Sequence, residues 1–293
     1  MTVDDRLLHE ARVRPRQAVI AGLAGALIVV AAIVGLSGPH TTVDELTLDL
    51  ITAHKRFPLD LIAAVINALG SLALAGTLAF LFDAARARNP QTQPFVRILV
   101  IAGGIVAAIT GIVYAALVAV KANQFVSTGS QTYEQASHLT SASAIPALQN
   151  IGEGSALVLA VGFVLTSMSA MRVGLLTRFM GYLGIFAGVL VLFPIGSPVP
   201  VVQGFWLLAL AYMVSGRWPT GVPASWRSGR AEKWPSAQAM REQRAKATGA
   251  GRQQAGGGRG KPAASPAAEP ASAPPPRVRS TTPKSKRKRK RRR

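Results

Sequence analysis

Residues Ala144–Met168 read AIPALQNIGEGSALVLAVGFVLTSM. An apolar run of about 20 residues, wound as a helix, spans the ~30 Å hydrocarbon layer of a bilayer. This stretch is longer than that, and its one charged residue is Glu153, with Gln149 and Asn150 one turn earlier. Only helices and closed barrels satisfy every backbone group in lipid, so one such segment sets the fold class. Glu153 is the carboxylate that no helix end explains. A charge at the centre of a membrane helix costs at least ~2.5–3.5 kcal/mol on insertion scales, so it starts as a site hypothesis.

The same pattern recurs on both sides of this stretch. Hydrophobic residues make up 49% of the 293 residues, and mean hydropathy is +0.29 although the last third is polar. The apolar residues are therefore concentrated in the first two thirds. Six spans are expected, at 17–36, 58–82, 95–120, 144–168, 177–195 and 199–215. Gly196–Pro198 forms the last tight turn, and Pro194, Pro198 and Pro200 punctuate that hairpin. The first run follows a short basic N-terminus, 1–16, with Arg6, Arg12, Arg14 and Arg16. A cleaved leader has an apolar core of about 7–15 residues and a small-x-small site. This run is longer and ends at Gly35–Pro39, which favours an uncleaved span. Between spans 1 and 2, Thr42 and Glu45 fit a capping box. Val43, Leu46, Leu50 and Ile51 then share one face of a short amphipathic helix expected to lie on the membrane surface.

Charge sets the orientation. One group of flanks holds Arg6, Arg12, Arg14, Arg16, Arg86, Arg88, Arg97, Arg172, Arg178 and the C-terminal tail, whereas the other holds only Lys55, Arg56 and Lys121. The positive-inside rule puts the first group, and both termini, in the cytoplasm of a bacterial inner membrane. No repeat relates spans 1–3 to spans 4–6. Small residues four apart suggest packing faces: Ala18, Gly22 and Ala26; Gly103, Ala107 and Gly111; Gly152, Ala156 and Ala160.

With this topology Glu153 lies roughly 10–14 Å below the outer surface at 1.5 Å per residue. Asp60, Asn67, Tyr114, Gln149, Asn150 and Gln203 fall in the same outer half or near mid-depth. One reading is an outward-facing polar pocket with Glu153 as its ionisable centre, suited to a proton or a cation. The other is interhelical hydrogen bonding alone, typically ~0.6 kcal/mol a pair. Asp60, two residues after Pro58, is also explained by the helix dipole. No metal site is expected, because His9, His40, His54 and His138 lack ligand spacing. No cofactor is expected either, since there is no Walker loop and no GxGxxG. Gly152–Ser155 superficially resembles a Gly-flanked nucleophile, but no span holds a His to serve as its base. The chain has no Cys, which excludes disulfides and thiolate chemistry.

The tail carries the charge. Residues 216–293 hold 21 Lys/Arg against 3 Asp/Glu, most of the formal net charge of +20. A juxtamembrane Trp/Arg segment, 216–248, has Trp218, Trp226 and Trp234 eight residues apart, a residue type that prefers the membrane–water interface. Residues 249–293 form a Gly/Ala/Pro-rich linker and a basic end, expected to be disordered. That end is Lys284, Lys286, Arg287, Lys288, Arg289, Lys290, Arg291, Arg292 and Arg293. Such a run binds anionic lipid head groups, or nucleic acid or ribosomes non-specifically through phosphates, or serves only as a topology anchor. No aromatic is interleaved with it, so sequence-specific readout is not expected.

RFMGYLG (Arg178–Gly184), the Pro-rich hairpin, GRWP (Gly216–Pro219) and EKWPSA (Glu232–Ala237) resemble an uncharacterised family of actinobacterial six-span membrane proteins, many with Lys/Arg-rich ends. The resemblance implies an inner-membrane location and assigns no catalytic residue. The expected protein is thus all-α, polytopic and non-enzymatic, with a basic cytoplasmic tail that docks on anionic lipid or an acidic partner. The alternative is a proton-coupled handler of small solutes or ions that uses the Glu153 pocket.

Overall fold

The computed structural model describes residues 3–38, 45–128, 130–192, 200–218 and 221–232. The chain divides into two units, Met1–Pro235 and Ser236–Arg293, and only the first contains described residues. The turn at Gly196–Pro198 and the terminal Lys/Arg run lie outside them. Every regular element among the described residues is a helix. They are α1 (Val3–Leu36), α2 (Leu46–Arg56), α3 (Leu59–Arg88), α4 (Phe95–Ser127), α5 (Tyr133–Ser141), α6 (Ile145–Arg172), α7 (Arg178–Leu192), α8 (Val201–Val214) and α9 (Ala224–Ser228).

Four of these, α1, α3, α4 and α6, are long and apolar enough to cross a membrane. α7 and α8 are apolar but have 15 and 14 residues, about 22 and 21 Å of helix against ~30 Å of hydrocarbon. The long helices also run past the expected spans. α1 starts at Val3 and passes through Pro15, so the basic N-terminus is helical. Proline removes one backbone hydrogen bond there, and tertiary contacts hold the first half of α1 in place. Arg6 Nη1 donates to the Ala87 carbonyl at 2.6 Å, and Glu10 pairs with Arg88.

α2 begins at Leu46 with Glu45 as N-cap, and no side chain caps it. The expected Thr42–Glu45 box therefore does not start this helix, and Thr42 lies outside the described residues. Its apolar face is not left to a flat lipid surface. Leu50, with Leu46 and Ile51, packs against Ala122 and Phe125 of α4 and Ala136 of α5. α5 has no counterpart in the sequence reading. Thr132 Oγ1 caps it by accepting the Gln135 N–H.

α3 lies between α1 and α4, and α4 packs on α6, α6 on α7, and α8 on α1. Arg6, Arg14, Arg88, Arg97, Arg172 and Arg178 lie at one end, called here the basic end; the α1–α2–α3 connections, with Arg56, and the α5–α6 connection mark the far end. Burial is uneven along the bundle. On α3 the buried positions run from Ala68 to Arg88, with none from Leu59 to Asn67. On α6, apart from Ile145, they run from Ser155 to Ala170. Glycine explains the tight half. A Cβ on Gly104 of α4 would sit 2.5 Å from the Ala75 Cβ of α3, and one on Gly103 would sit 2.9 Å from the Leu159 N of α6. Two turns on, a Cβ on Gly111 would meet nothing within 4 Å. Of the expected stripe Gly103–Ala107–Gly111, one end packs closely and the other faces open space. α3, α4 and α6 therefore touch toward the basic end and spread apart toward the far end.

Candidate functional site

Three clefts occupy the spread half. One of about 420 Å³ lies between α3, α4 and α6 and is bordered by Asn67, Thr110, Tyr114, Gln149 and Glu153. A second, about 310 Å³, lies between α2, α3 and α4 and is bordered by Asp60, Asn67 and Tyr114. The third, about 520 Å³, reaches toward α1, α7 and α8 and is bordered by Asn67, Ser71 and Gln203. Asn67 borders all three, so they meet at one side-chain amide. Elsewhere their walls are mainly Ala, Gly and aliphatic side chains. A largely apolar concavity with a few polar groups is the usual form of a small-molecule site.

Six of the seven polar residues singled out from the sequence border these clefts, but their surroundings differ. Glu153 is exposed, and its Oε1 accepts a hydrogen bond from Gln149 Nε2 at 3.3 Å. The two lie one turn apart on α6, so the spacing of the sequence itself makes this contact. Asn67 is exposed, and Tyr114 keeps 38% of its surface accessible. These four can meet a solute directly. Gln203 is buried, and its Nε2 donates to the Ala187 carbonyl at 3.3 Å, which ties α8 to α7. Asp60 accepts from Arg56 Nε at 2.8 Å, and the Arg56 guanidinium also donates to the Gly35 carbonyl. That fork joins the ends of α1, α2 and α3, a positional role. Asn150 is exposed and borders none of the three clefts. Thr110 borders the first cleft but was not singled out; its Oγ1 donates to the Val106 carbonyl at 2.7 Å, within its own helix.

The basic end holds a different constellation, which the sequence reading missed. Glu10 and Arg88 form a two-pronged ion pair, Arg88 Nη1 to Oε1 at 2.9 Å and Nη2 to Oε2 at 2.7 Å. The Arg88 side chain is fully buried and that of Glu10 is 9% exposed. Arg88 Nε donates to the Ser225 carbonyl at 3.0 Å. Both Arg88 and Arg14 lie over the Trp226 ring, 5.2 and 5.1 Å from its centroid. Trp226 Nε1 donates to the Leu175 carbonyl at 3.1 Å, in the turn between α6 and α7. Beside it the Glu232 N–H donates to the Val173 carbonyl. Gly174 has φ +79°, and a Cβ there would collide with the Glu232 carbonyl. Its left-handed backbone and its lack of a side chain are both used. Glu153 is thus not the carboxylate that asks most for an explanation. The signal for the pair was Arg88, a cation close behind a long apolar run, with Glu10 the acid on the facing helix.

Among the described residues no group of three or more His, Cys, Asp or Glu side chains is placed to hold a metal ion. No protein-family model, curated protein or solved structure matches the chain.

Proposed function

We propose that the chain is a six-span inner-membrane protein that takes a small cationic or protonatable solute from the outer side into the cleft at Glu153. The single observation behind this reading is the meeting of three clefts at Asn67, closed toward the basic end by the Gly103 and Gly104 contacts. Glu153 supplies the negative charge, Tyr114 an aromatic face for a cation, and Asn67 and Gln149 hydrogen-bonding amides. In this topology α7 and α8 make the fifth and sixth spans, and the positive-inside rule puts the basic end in the cytoplasm. The motif resemblance to actinobacterial six-span proteins fits the same plan.

The test is solute entry into proteoliposomes of the full chain loaded with a pH-reporting dye, challenged with methylammonium or an acid step. Entry is expected to fall about tenfold or more in Glu153→Gln, which keeps the shape and removes the charge, about 1.4 kcal/mol of charge-dependent interaction. Equal entry in parent, variant and empty liposomes would remove the reading.

The tail supports a second activity. Residues 233–293 carry 18 Lys/Arg and 2 Asp/Glu, suited to anionic lipid head groups or an acidic partner. Deleting 249–293 separates the two: solute entry persists without the tail, and docking does not.

A further inference from the structure

A fourth cleft, about 670 Å³, runs along the basic end between the first half of α1 and the end of α8. Its mouth carries Arg14 and Arg217, and no acidic residue lines it. Its lining also holds the apolar residues Ala18, Val19 and Ala211, of which Ala18 is buried and Val19 exposed. Tyr212, at its edge, packs on Trp218 with ring centroids 6.0 Å apart. Tyr and Trp favour the level of the lipid head groups, so the rings mark the depth at which this cleft opens.

Arg14 is held ready at that depth. Glu10, one turn before it, gives both carboxylate oxygens to Arg88, so no carboxylate neutralises Arg14 at ion-pair distance among the described residues. Its Nη2 donates to the Val214 carbonyl at 3.1 Å and its guanidinium lies over Trp226, but its buried Nε has no hydrogen-bond partner. Those contacts fix the cation, on which Glu10 acts through space without a hydrogen bond to it. Arg217 is exposed on the opposite lip.

We propose that this cleft binds one anionic glycerophospholipid, its phosphate between Arg14 and Arg217 and an acyl chain along Ala18, Val19 and Ala211. The basic mouth next to an apolar wall selects an anion attached to a hydrocarbon chain. The protein's own C-terminal segment does not suit the site, because its net charge has the same sign as the mouth. Guanidinium groups pair with phosphate through two parallel donors, which fixes the head group as well as attracting it. The proposal does not depend on the solute reading of the Glu153 cleft.

The test uses the full chain in phosphatidylcholine vesicles, with brominated phosphatidylglycerol or brominated phosphatidylcholine as quencher of tryptophan fluorescence. Salt at about 1 M shortens the Debye length to about 3 Å and suppresses diffuse attraction by the tail. Brominated phosphatidylglycerol is expected to quench at lower mole fraction than brominated phosphatidylcholine. Arg217→Gln, an exposed change, is expected to reduce that preference about fivefold, the worth of one basic side chain near an anionic surface. Ala11→Phe, which projects a ring into the cleft from an exposed position, is expected to abolish it. Replacing Lys284 to Arg293 by Gln and Ser is expected to leave it intact. The proposal is overturned if both quenchers act equally, if neither cleft variant lowers the preference, if the tail variant removes it, or if inorganic phosphate competes it away.

Discussion

At the scale of single residues, the Glu10–Arg88 pair is a buried two-pronged ion pair with a clear consequence. Two ions taken out of water lose several kcal/mol of hydration each, which their attraction repays only when the remaining donors and acceptors are used. Here Arg88 donates to both Glu10 oxygens and to the Ala84 and Ser225 carbonyls. Removing Glu10 alone leaves a buried cation. Glu10→Ala is therefore expected to destabilise the protein by about 3–5 kcal/mol, whereas Glu10→Leu combined with Arg88→Met is expected to cost much less. Thermal unfolding of the detergent-solubilised protein, followed by loss of soluble monomer, ranks the two. A double variant as unstable as the single one would show that the charges themselves, and not their mutual satisfaction, hold this end together. Neither partner was legible as a pair, because 78 residues separate them in the chain. Glu153 was legible, because its partner Gln149 is four residues away.

Helix packing follows from where glycine stands on each helix. Spacing alone treats Gly103, Ala107 and Gly111 as one equivalent stripe, but contact distance depends on the angle between the axes, which spacing does not contain. Gly104→Leu pushes a side chain into Ala75 and the Ser71 carbonyl of α3, 2.5 and 3.2 Å from its Cβ. Gly111→Leu, on the same helix, points into a cleft. Both gain the same helix propensity, so their difference reports packing. Gly104→Leu is expected to lose about 1–3 kcal/mol through overpacking and Gly111→Leu to be neutral or slightly stabilising. Equal effects in a thermal-shift comparison would contradict the spreading of α3 from α4. α5 illustrates the reverse limit: its start, Thr132, is a readable cap, but a nine-residue helix has little propensity of its own and rests on Ala136 packing against α4 and α2.

Across the helical unit Met1–Pro235, α3 and α4 approach closely toward the basic end and leave clefts between them toward the far end, and the chain offers a clean way to measure this. It contains no Cys, so any introduced thiol is the only one. Asn67→Cys and Glu153→Cys, at exposed positions, are expected to react with a membrane-impermeant maleimide added from the outer side of intact cells. Ala75→Cys and Leu78→Cys, 4% and 0% exposed, are expected to stay unlabelled until the protein is denatured. Labelling of all four alike, or of none even after the membrane is opened, would mean that the clefts are not a water-filled entrance. The same experiment tests orientation, since a reversed topology labels Asn67→Cys only after the membrane is opened.

Chain pattern by itself determined the helical class, the apolar stretches and the concentration of positive charge, because hydrocarbon admits few backbone structures and charge counting needs no geometry. It also singled out seven polar residues, of which all but Asn150 border the far-end clefts, since an expected span direction converts residue number into depth. Tertiary structure alone decided which of those six face open space and which are tied up: Gln203 with Ala187, Asp60 with Arg56. It alone brought Glu10, Arg88, Arg14 and Trp226 together and made the Gly103–Gly111 stripe tight at one end and open at the other. Local pattern follows helix period and hydropathy, which act over a few residues. Ion pairing and helix splay depend on crossing angles between segments far apart in the chain, set only when all the helices pack at once.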